Sequence, residues 1–146
     1  MNIAIRQESR IRAFFRWLLA IFYLGAGIMH IRSPGGFLAI TPDWVPFPEQ
    51  VVFLTGVAEI IGAIGLLIPL NINSKTRFWA GTGLAVYAVC VWPANINHAV
   101  NDIAINGETL GWGYHGPRQL LQPVFIWWAL IAGGVINWPF RRRSIS

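Results

Sequence analysis

The chain has 146 residues, of which 55% are hydrophobic and only 12% are charged, with 11 Lys and Arg against 6 Asp and Glu. A soluble domain carries about 25% charged residues, so the composition excludes an ordinary soluble domain, and 14% aromatic residues exclude a disordered chain. The length suits a single domain over residues 1–146. The lone cysteine, Cys90, excludes an internal disulfide or a CxxC redox pair, and we expect it to lie in the core.

Four apolar stretches predict membrane-spanning helices, in chain order at about residues 13–31, 51–70, 78–98 and 119–140. A span needs about 20 residues, and each stretch is apolar around most of its circumference. A chain of this length cannot bury four such helices inside itself. The predicted fold class is therefore all-α, an integral membrane four-helix bundle with two longer outer loops.

The first stretch follows a cluster of arginines, as the apolar region of a signal peptide would. The small residues near its end, Gly25, Ala26 and Gly27, lack the A-x-A arrangement of a cleavage site. We therefore expect the stretch to remain in the protein as its first span.

The basic residues predict the orientation of the spans, because cytoplasmic loops hold an excess of Lys and Arg. Two basic residues, Arg32 and Arg118, flank the spans on one side. The other nine lie on the opposite side: Arg6, Arg10, Arg12, Arg16, Lys75, Arg77, Arg141, Arg142 and Arg143. Both termini are therefore predicted to be cytoplasmic. The lipid bilayer accounts for this basic excess, and no nucleic-acid partner is expected.

The two outer loops have different characters. Residues 32–50 are broken by prolines yet apolar, which favours a short helical segment at the membrane interface, capping the mouth of the bundle. Residues 99–117 contain the turn signal Asn106-Gly107 and aromatic residues suited to the head-group region. We expect His115 to be a residue of this second loop.

Glu59 lies eight residues into the second stretch, about 12 Å deep by helical rise. An ionised acid near the middle of a span costs about 2.5–3.5 kcal/mol, so other groups must offset that cost. Its helical neighbours are all small: Thr55, Gly56, Gly62 and Ala63. A small-residue face allows close approach of another helix. Glu59 is therefore predicted to point into the bundle.

Further polar residues lie at the outer ends of the other spans, which predicts a polar pocket open to the outside. They are His30, Asn95, Asn97, His98, Arg118, Gln119 and Gln122. Pro93 adds a carbonyl without its helical donor, that of Val89. Structural roles remain open alternatives: Glu59 as a hydrogen-bonded acid joining helices, and the histidines as partners of helix-end carbonyls.

Several short motifs together resemble the DoxX-like family of small four-span membrane proteins, over about residues 14–138. They are Gly27-x-x-His30, a loop with Pro42 and Pro46, Gly56-x-x-Glu59-x-x-Gly62-x-x-Gly65-Leu66-Leu67-x-Pro69, Pro93-Ala94-Asn95-x-x-His98, and Arg118-x-x-x-Gln122 followed by Trp127. The resemblance implies a four-helix bundle in the bacterial cytoplasmic (inner) membrane and an association with redox chemistry. Animal relatives act as receptor assembly factors, so the fold does not determine the function. A branch with paired cysteines is not matched.

The main functional hypothesis is a redox-associated subunit whose outer pocket holds a quinone-like or other small apolar ligand with a polar head. Glu59, with His30 and His98, would form its proton or ligand site. The head group would be oriented by Asn95, Arg118 and Gln122, with Trp92 and Trp127 as aromatic walls. A haem or metal ion at these histidines is disfavoured, because the residues come from three different spans.

Two alternatives belong to other functional classes, so whether the protein is an enzyme stays open. One is a non-catalytic accessory or assembly protein that docks a redox protein or another membrane subunit. The other is a proton-coupled transporter, which is the weaker hypothesis because no cytoplasmic pathway is visible. Small-residue faces on the spans also allow a homo-oligomer.

Overall fold

The computed structural model describes residues 8–138, apart from the side chains of Leu70, Asn71 and Ser74. This part of the chain forms five helices and no strand, which confirms the all-α prediction. They are α1 (Arg10–Arg32), α2 (Gly35–Ile40), α3 (Pro48–Leu67), α4 (Leu70–Val100) and α5 (Gly111–Ala132).

The four long helices α1, α3, α4 and α5 pack side by side with alternating directions. Gly27 of α1 meets Gly56 of α3, so closely that a Cβ on Gly27 would lie 2.6 Å from the Gly56 carbonyl oxygen. We call the end that contains the last residue of α1 and the first of α3 the upper end, and the opposite end the lower end. The connection containing α2 and the loop between α4 and α5 both lie at the upper end.

The first two predicted spans match α1 and α3, whereas α4 is longer than the third predicted span, 78–98. The observed α4 begins at Leu70 and contains one non-helical residue, Asn73 (φ −159°, ψ 104°). Its side-chain oxygen accepts hydrogen bonds from the backbone N–H groups of Lys75 and Thr76. Asn73 therefore acts as an N-cap, and the long regular part of α4 follows it.

The fourth predicted span, 119–140, is displaced from α5, which begins at Gly111 and ends at Ala132. The end is set by Gly134, whose φ of +73° no residue but glycine adopts readily. Its N–H bonds to the Ile131 carbonyl and that of Val135 to the Leu130 carbonyl, which is a Schellman motif. The last two residues of the predicted span lie outside the described residues.

Both outer-loop predictions agree with the structure in their main feature. The first loop contains the short helix α2, whose last carbonyl, that of Ile40, accepts a 3.0 Å hydrogen bond from Asn97 of α4. In the second loop, Asn106 (φ 55°) and Gly107 (φ 84°) form a tight turn of the kind that positive φ angles at both central residues produce.

The lower half of the bundle is filled by a core of mostly small and aliphatic side chains, with Tyr23 at the boundary to the cavity. The core consists of Leu19, Ala20, Tyr23, Ala63, Leu66, Leu84, Ala85, Ala129 and Ala132. Such residues let the helix backbones approach closely, so this half is closed and the space between the helices lies above it.

The bundle buries several polar side chains and exposes many large apolar ones. Within residues 8–138, the buried polar or charged residues are Arg16, His30, Glu59, Arg77, Asn95, His98, His115 and Gln122. Large apolar residues cover the outside, with Trp17 50%, Ile61 64% and Leu120 74% exposed. Among the described helices, α1 and α3 are long and apolar enough to cross a membrane.

A buried charge network holds the lower end together. Arg16 donates to Glu8 (3.0 Å) and to the Leu66 carbonyl (2.9 Å), and Arg77 donates to Glu8 (3.2 Å) and to the Ile68 carbonyl (3.0 Å). Two carbonyls at the end of α3 thereby gain hydrogen-bond donors. Arg16 itself is buried in this network. Arg6 and Arg141 to Arg143 lie outside the described residues.

Candidate functional site

A cavity of about 640 Å³ occupies the upper half of the bundle, above the small-residue core. All four long helices line it, and the segment that contains α2 covers it through Phe37, Ile40 and Trp44. Its volume lies within the range of about 300–1,000 Å³ typical of small-molecule sites. The upper-half pocket expected from the sequence is thus present.

Glu59 lies in this cavity and points into the bundle, as predicted. The residue is 3% exposed, and Tyr87 lines the same cavity. Its Oε2 atom is buried and has no hydrogen-bond partner among the described residues. The carboxyl group therefore keeps one oxygen for a further donor or acceptor.

His30 faces this oxygen, with 3.9 Å between His30 Nε2 and Glu59 Oε2. On the other side of the ring, His30 Nδ1 is 2.9 Å from the Thr55 hydroxyl oxygen, which itself donates to the Val52 carbonyl. Since the only proton of the hydroxyl is used there, Nδ1 must be the donor to it. In the neutral ring Nε2 is then an acceptor, and it is turned towards Glu59.

Asn95 and Gln122 form a second polar group in the cavity wall, between α4 and α5. Asn95 Nδ2 donates to Gln122 Oε1 (3.1 Å), and Gln122 Nε2 donates to the Ala88 carbonyl (2.6 Å). The sequence predicted a free carbonyl at Val89, below Pro93. Gln122 of α5 instead donates to the carbonyl of Ala88, one residue before Val89.

Arg118 also lines the cavity, where it is bound to His98 rather than to Glu59. Arg118 Nη1 donates to His98 Nδ1 over 2.9 Å, and the guanidinium lies 5.6 Å from the centre of the Tyr114 ring. His98 is fully buried behind Arg118 and does not line the cavity. The predicted grouping of Glu59, His30 and His98 is therefore wrong for His98.

The predicted tryptophan walls are wrong as well, because neither Trp92 nor Trp127 lines the cavity. Trp92 Nε1 donates to Gln119 Oε1 in the interface between α4 and α5 (2.9 Å), and the Trp127 ring packs against Trp138. The aromatic lining comes instead from Phe22, Tyr23, Phe37, Trp44, Tyr87, Tyr114 and Phe125. Which aromatic residues line the cavity depends on how the helices are rotated about their axes, and the sequence pattern leaves this rotation undetermined.

Cys90 and His115 do not lie where the sequence predicted them. Cys90 is exposed and belongs to the cavity lining rather than to the core. His115 lies in α5 and is 1% exposed; its ring centre is 4.6 Å from that of His98, and its Nε2 is 3.4 Å from Asp102 Oδ1. Its spacing of three residues from Arg118, a helical spacing, was a signal that could have placed it here.

The arrangement can bind a small molecule and hold a proton, and it does not resemble a metal centre. Among residues 8–138, no three His, Cys, Asp or Glu side chains are grouped to hold a metal ion. The cavity combines an apolar, aromatic lining with three separate polar groups: Glu59 with His30, Asn95 with Gln122, and Arg118. A few polar groups in an apolar lining orient an amphipathic ligand.

Comparison with known proteins gives one family match. The model of a domain of unknown function, DUF8561, matches residues 19–132, which include most of α1 and all of α2 to α5. No curated protein and no solved structure matches the chain.

Proposed function

We propose that this chain, which belongs to the DUF8561 family, is a membrane protein of four spans that binds a small apolar molecule with a polar head. The ligand would occupy the cavity in the upper half of the bundle. A quinone-like molecule is the first candidate, and the protein would act as a redox-associated subunit, in keeping with the DoxX-like motifs. The membrane would be the bacterial inner membrane.

The exposed apolar surface supports four spans rather than two. On α4, Trp79 is 66% and Val89 52% exposed, and on α5 Leu120 is 74% exposed. Both helices run alongside α1 and α3, with lengths of 31 and 22 residues. If α1 and α3 cross the bilayer, α4 and α5 lie at the same depth and their outward side chains contact lipid. Large exposed apolar patches otherwise indicate aggregation or a partner surface.

The proposed orientation places both termini in the cytoplasm and the upper end outside. We therefore expect green fluorescent protein to fluoresce when fused after Ser146, and alkaline phosphatase to be active when inserted after Gly107, in the upper loop. Exchanging the two reporters should abolish both signals, because each reporter works on one side of the membrane only. Fluorescence from the Gly107 fusion would contradict the orientation.

One observation carries the ligand-binding proposal: the buried Glu59 Oε2 without a partner, facing His30 Nε2 over 3.9 Å. This distance is too long for a direct hydrogen bond. A buried polar atom left unpaired costs about 1–3 kcal/mol, so a site of this kind is completed by something that bonds to it. A quinone carbonyl accepts a hydrogen bond, and a protonated Glu59 would donate it.

Glu59→Leu, which removes the proposed donor, tests this proposal. We expect wild-type protein in lipid nanodiscs to bind a short-chain ubiquinone or menaquinone analogue, and the Leu variant to bind it at least about fivefold more weakly, since leaving the buried quinone carbonyl without its donor costs about 1–3 kcal/mol. The matched control is Glu49→Leu, which changes an exposed acid on the same helix. Binding should be measured by titration and compared with mass spectrometry of the solvent extract.

An equal affinity for the quinone analogue in wild type and in Glu59→Leu would overturn the proposal. A stoichiometric protein partner that co-purifies with a chain free of extractable small molecules would instead favour the accessory or assembly function. Uptake of protons into sealed proteoliposomes that depends on Glu59 would favour the transporter.

A further inference from the structure

Arg118 is a partly buried cation in a largely apolar cavity lining. Among the described residues it forms no ion pair with a carboxylate, and its contacts are the neutral acceptor His98 Nδ1 (2.9 Å) and the face of Tyr114 (5.6 Å). His98 accepts this hydrogen bond as a neutral ring, so it does not neutralise the charge of Arg118. Arg118 uses Nη1 in this bond, so its other nitrogen atoms can still bind a ligand.

The proposed membrane orientation does not explain the positive charge of Arg118. Arg118 lies near the upper end, where the proposed topology disfavours basic residues. A partly buried guanidinium without a counterion is costly, and it is the side chain best suited to bind a carboxylate or phosphate through two parallel hydrogen bonds. These properties indicate that the missing counterion comes with the ligand.

The seam between α1 and α5 is the most loosely packed side of the bundle. These two helices contact one another less than the other neighbouring pairs of long helices do. Phe22 of α1 and Phe125 of α5 line the cavity and stack across this seam, with ring centres 4.8 Å apart. Below this pair the seam is closed, for example by the hydrogen bond from Trp128 Nε1 to the Phe15 carbonyl (3.1 Å).

Above that pair, the described residues of α1 and α5 form no hydrogen bond or ring contact with each other. Ala26 of α1 and Leu121 of α5 line the cavity at this level, and Leu121 is 49% exposed. The helix α2 packs on α3 and α4, and its Phe37 ring contacts the His30 ring of α1, with 3.6 Å between the ring centres. In the proposed membrane orientation this part of the seam faces the acyl chains of the outer leaflet.

We propose that the cavity takes a single-chain anionic amphiphile from the lipid, a long-chain carboxylic acid, with its carboxylate bound by Arg118. The inference rests on the proposed ligand-binding function and specifies the head group and the origin of the ligand. The acyl chain lies against the apolar lining and extends towards the seam. A cavity of about 640 Å³ is the size of a site for one small molecule, which favours one chain over a two-chain phospholipid.

The test compares an acid with an alcohol of the same chain length. Radiolabelled laurate and 1-dodecanol are titrated against wild-type protein in phosphatidylcholine nanodiscs, with the short-chain ubiquinone as a third probe. We expect laurate to bind at least about tenfold more tightly than dodecanol, because a bond between ionised groups is worth about 1.5–3 kcal/mol. Arg118→Gln should remove this preference and Arg118→Lys should restore part of it. Arg32→Gln, which changes an exposed arginine at the same end, should keep it.

The outcomes separate the two proposals. Equal affinities for laurate and dodecanol in the wild type, or a preference that survives Arg118→Gln in a protein with an unchanged melting midpoint, would overturn the inference. If ubiquinone still binds in that case, the proposed function stands without it. If none of the three probes binds, both fall. Loss of laurate binding when phosphatidylglycerol replaces phosphatidylcholine would show that a phospholipid is the occupant, which also overturns the single-chain ligand.

Discussion

Gly81→Ala should destabilise the bundle strongly, whereas Gly83→Ala, two residues along the same helix, should leave it as stable or slightly more stable. A Cβ on Gly81 would lie 2.5 Å from the Cα of Gly133 and 2.6 Å from the carbonyl oxygen of Ala129. Both are backbone atoms of the facing segment, so no side-chain rotation relieves the clash. At Gly83 no atom lies within 4 Å of the added methyl group.

The two substitutions are expected to differ in sign. An alanine in place of glycine inside a helix gains about 0.5–1 kcal/mol from the lower backbone entropy of the unfolded chain. Forcing an extra group into a packed contact costs about 1–3 kcal/mol, and here α4 and α5 must separate. The midpoint of thermal unfolding in detergent, followed by size-exclusion chromatography, should fall for Gly81→Ala only. Equal midpoints for the two variants would show that the helices do not cross here.

Glu59→Leu should raise the thermal stability of the protein and abolish ligand binding. The buried carboxyl group has one oxygen without a partner, and a leucine removes the cost of about 1–3 kcal/mol that an unpaired buried polar atom carries. A leucine also suits the neighbouring core residue Ala63. Binding sites commonly retain a functional group that lowers the stability of the folded protein.

The same measurement decides between the two roles considered for Glu59. If the acid joins helices through hydrogen bonds, Glu59→Leu should lower the melting midpoint, and Tyr87→Phe, which removes its hydroxyl neighbour, should lower it too. The ligand-site function predicts a rise for Glu59→Leu and little change for Tyr87→Phe, with the binding of the quinone analogue lost in Glu59→Leu. A lower midpoint together with unchanged binding would contradict it.

Local signals in the sequence were enough for most of the helices and for the turn residues. The apolar stretches around α1 and α3 predicted those helices to within a few residues, and Asn106-Gly107 predicted a tight turn that the positive φ angles confirm. The limits of α4 and α5 were less predictable. Asn73 and Gly134 act there through capping bonds, which depend on conformation more than on apolar pattern.

The polar residues of the site illustrate a different limit. Small neighbours showed that Glu59 faces another helix, and helical spacing put Arg118 and Gln122 on one face. Which residues meet across the bundle depends on how each helix is rotated about its own axis and on its position along the bundle axis. His98 and Trp92 bind side chains of α5 at the wall, away from Glu59, although their spacing is equally suited to the cavity.

The sequence by itself thus determined the all-helical fold, the buried acid, and a polar half at one end, because burial and helix formation depend on residue type and near-neighbour spacing. The tertiary structure alone decided the pairing of Glu59 with His30, the attachment of Arg118 to His98, and the loose packing between α1 and α5. Each of these depends on contacts between segments far apart in the chain. Such contacts result from the packing of whole helices, in which glycines like Gly27 and Gly81 set how closely the backbones approach.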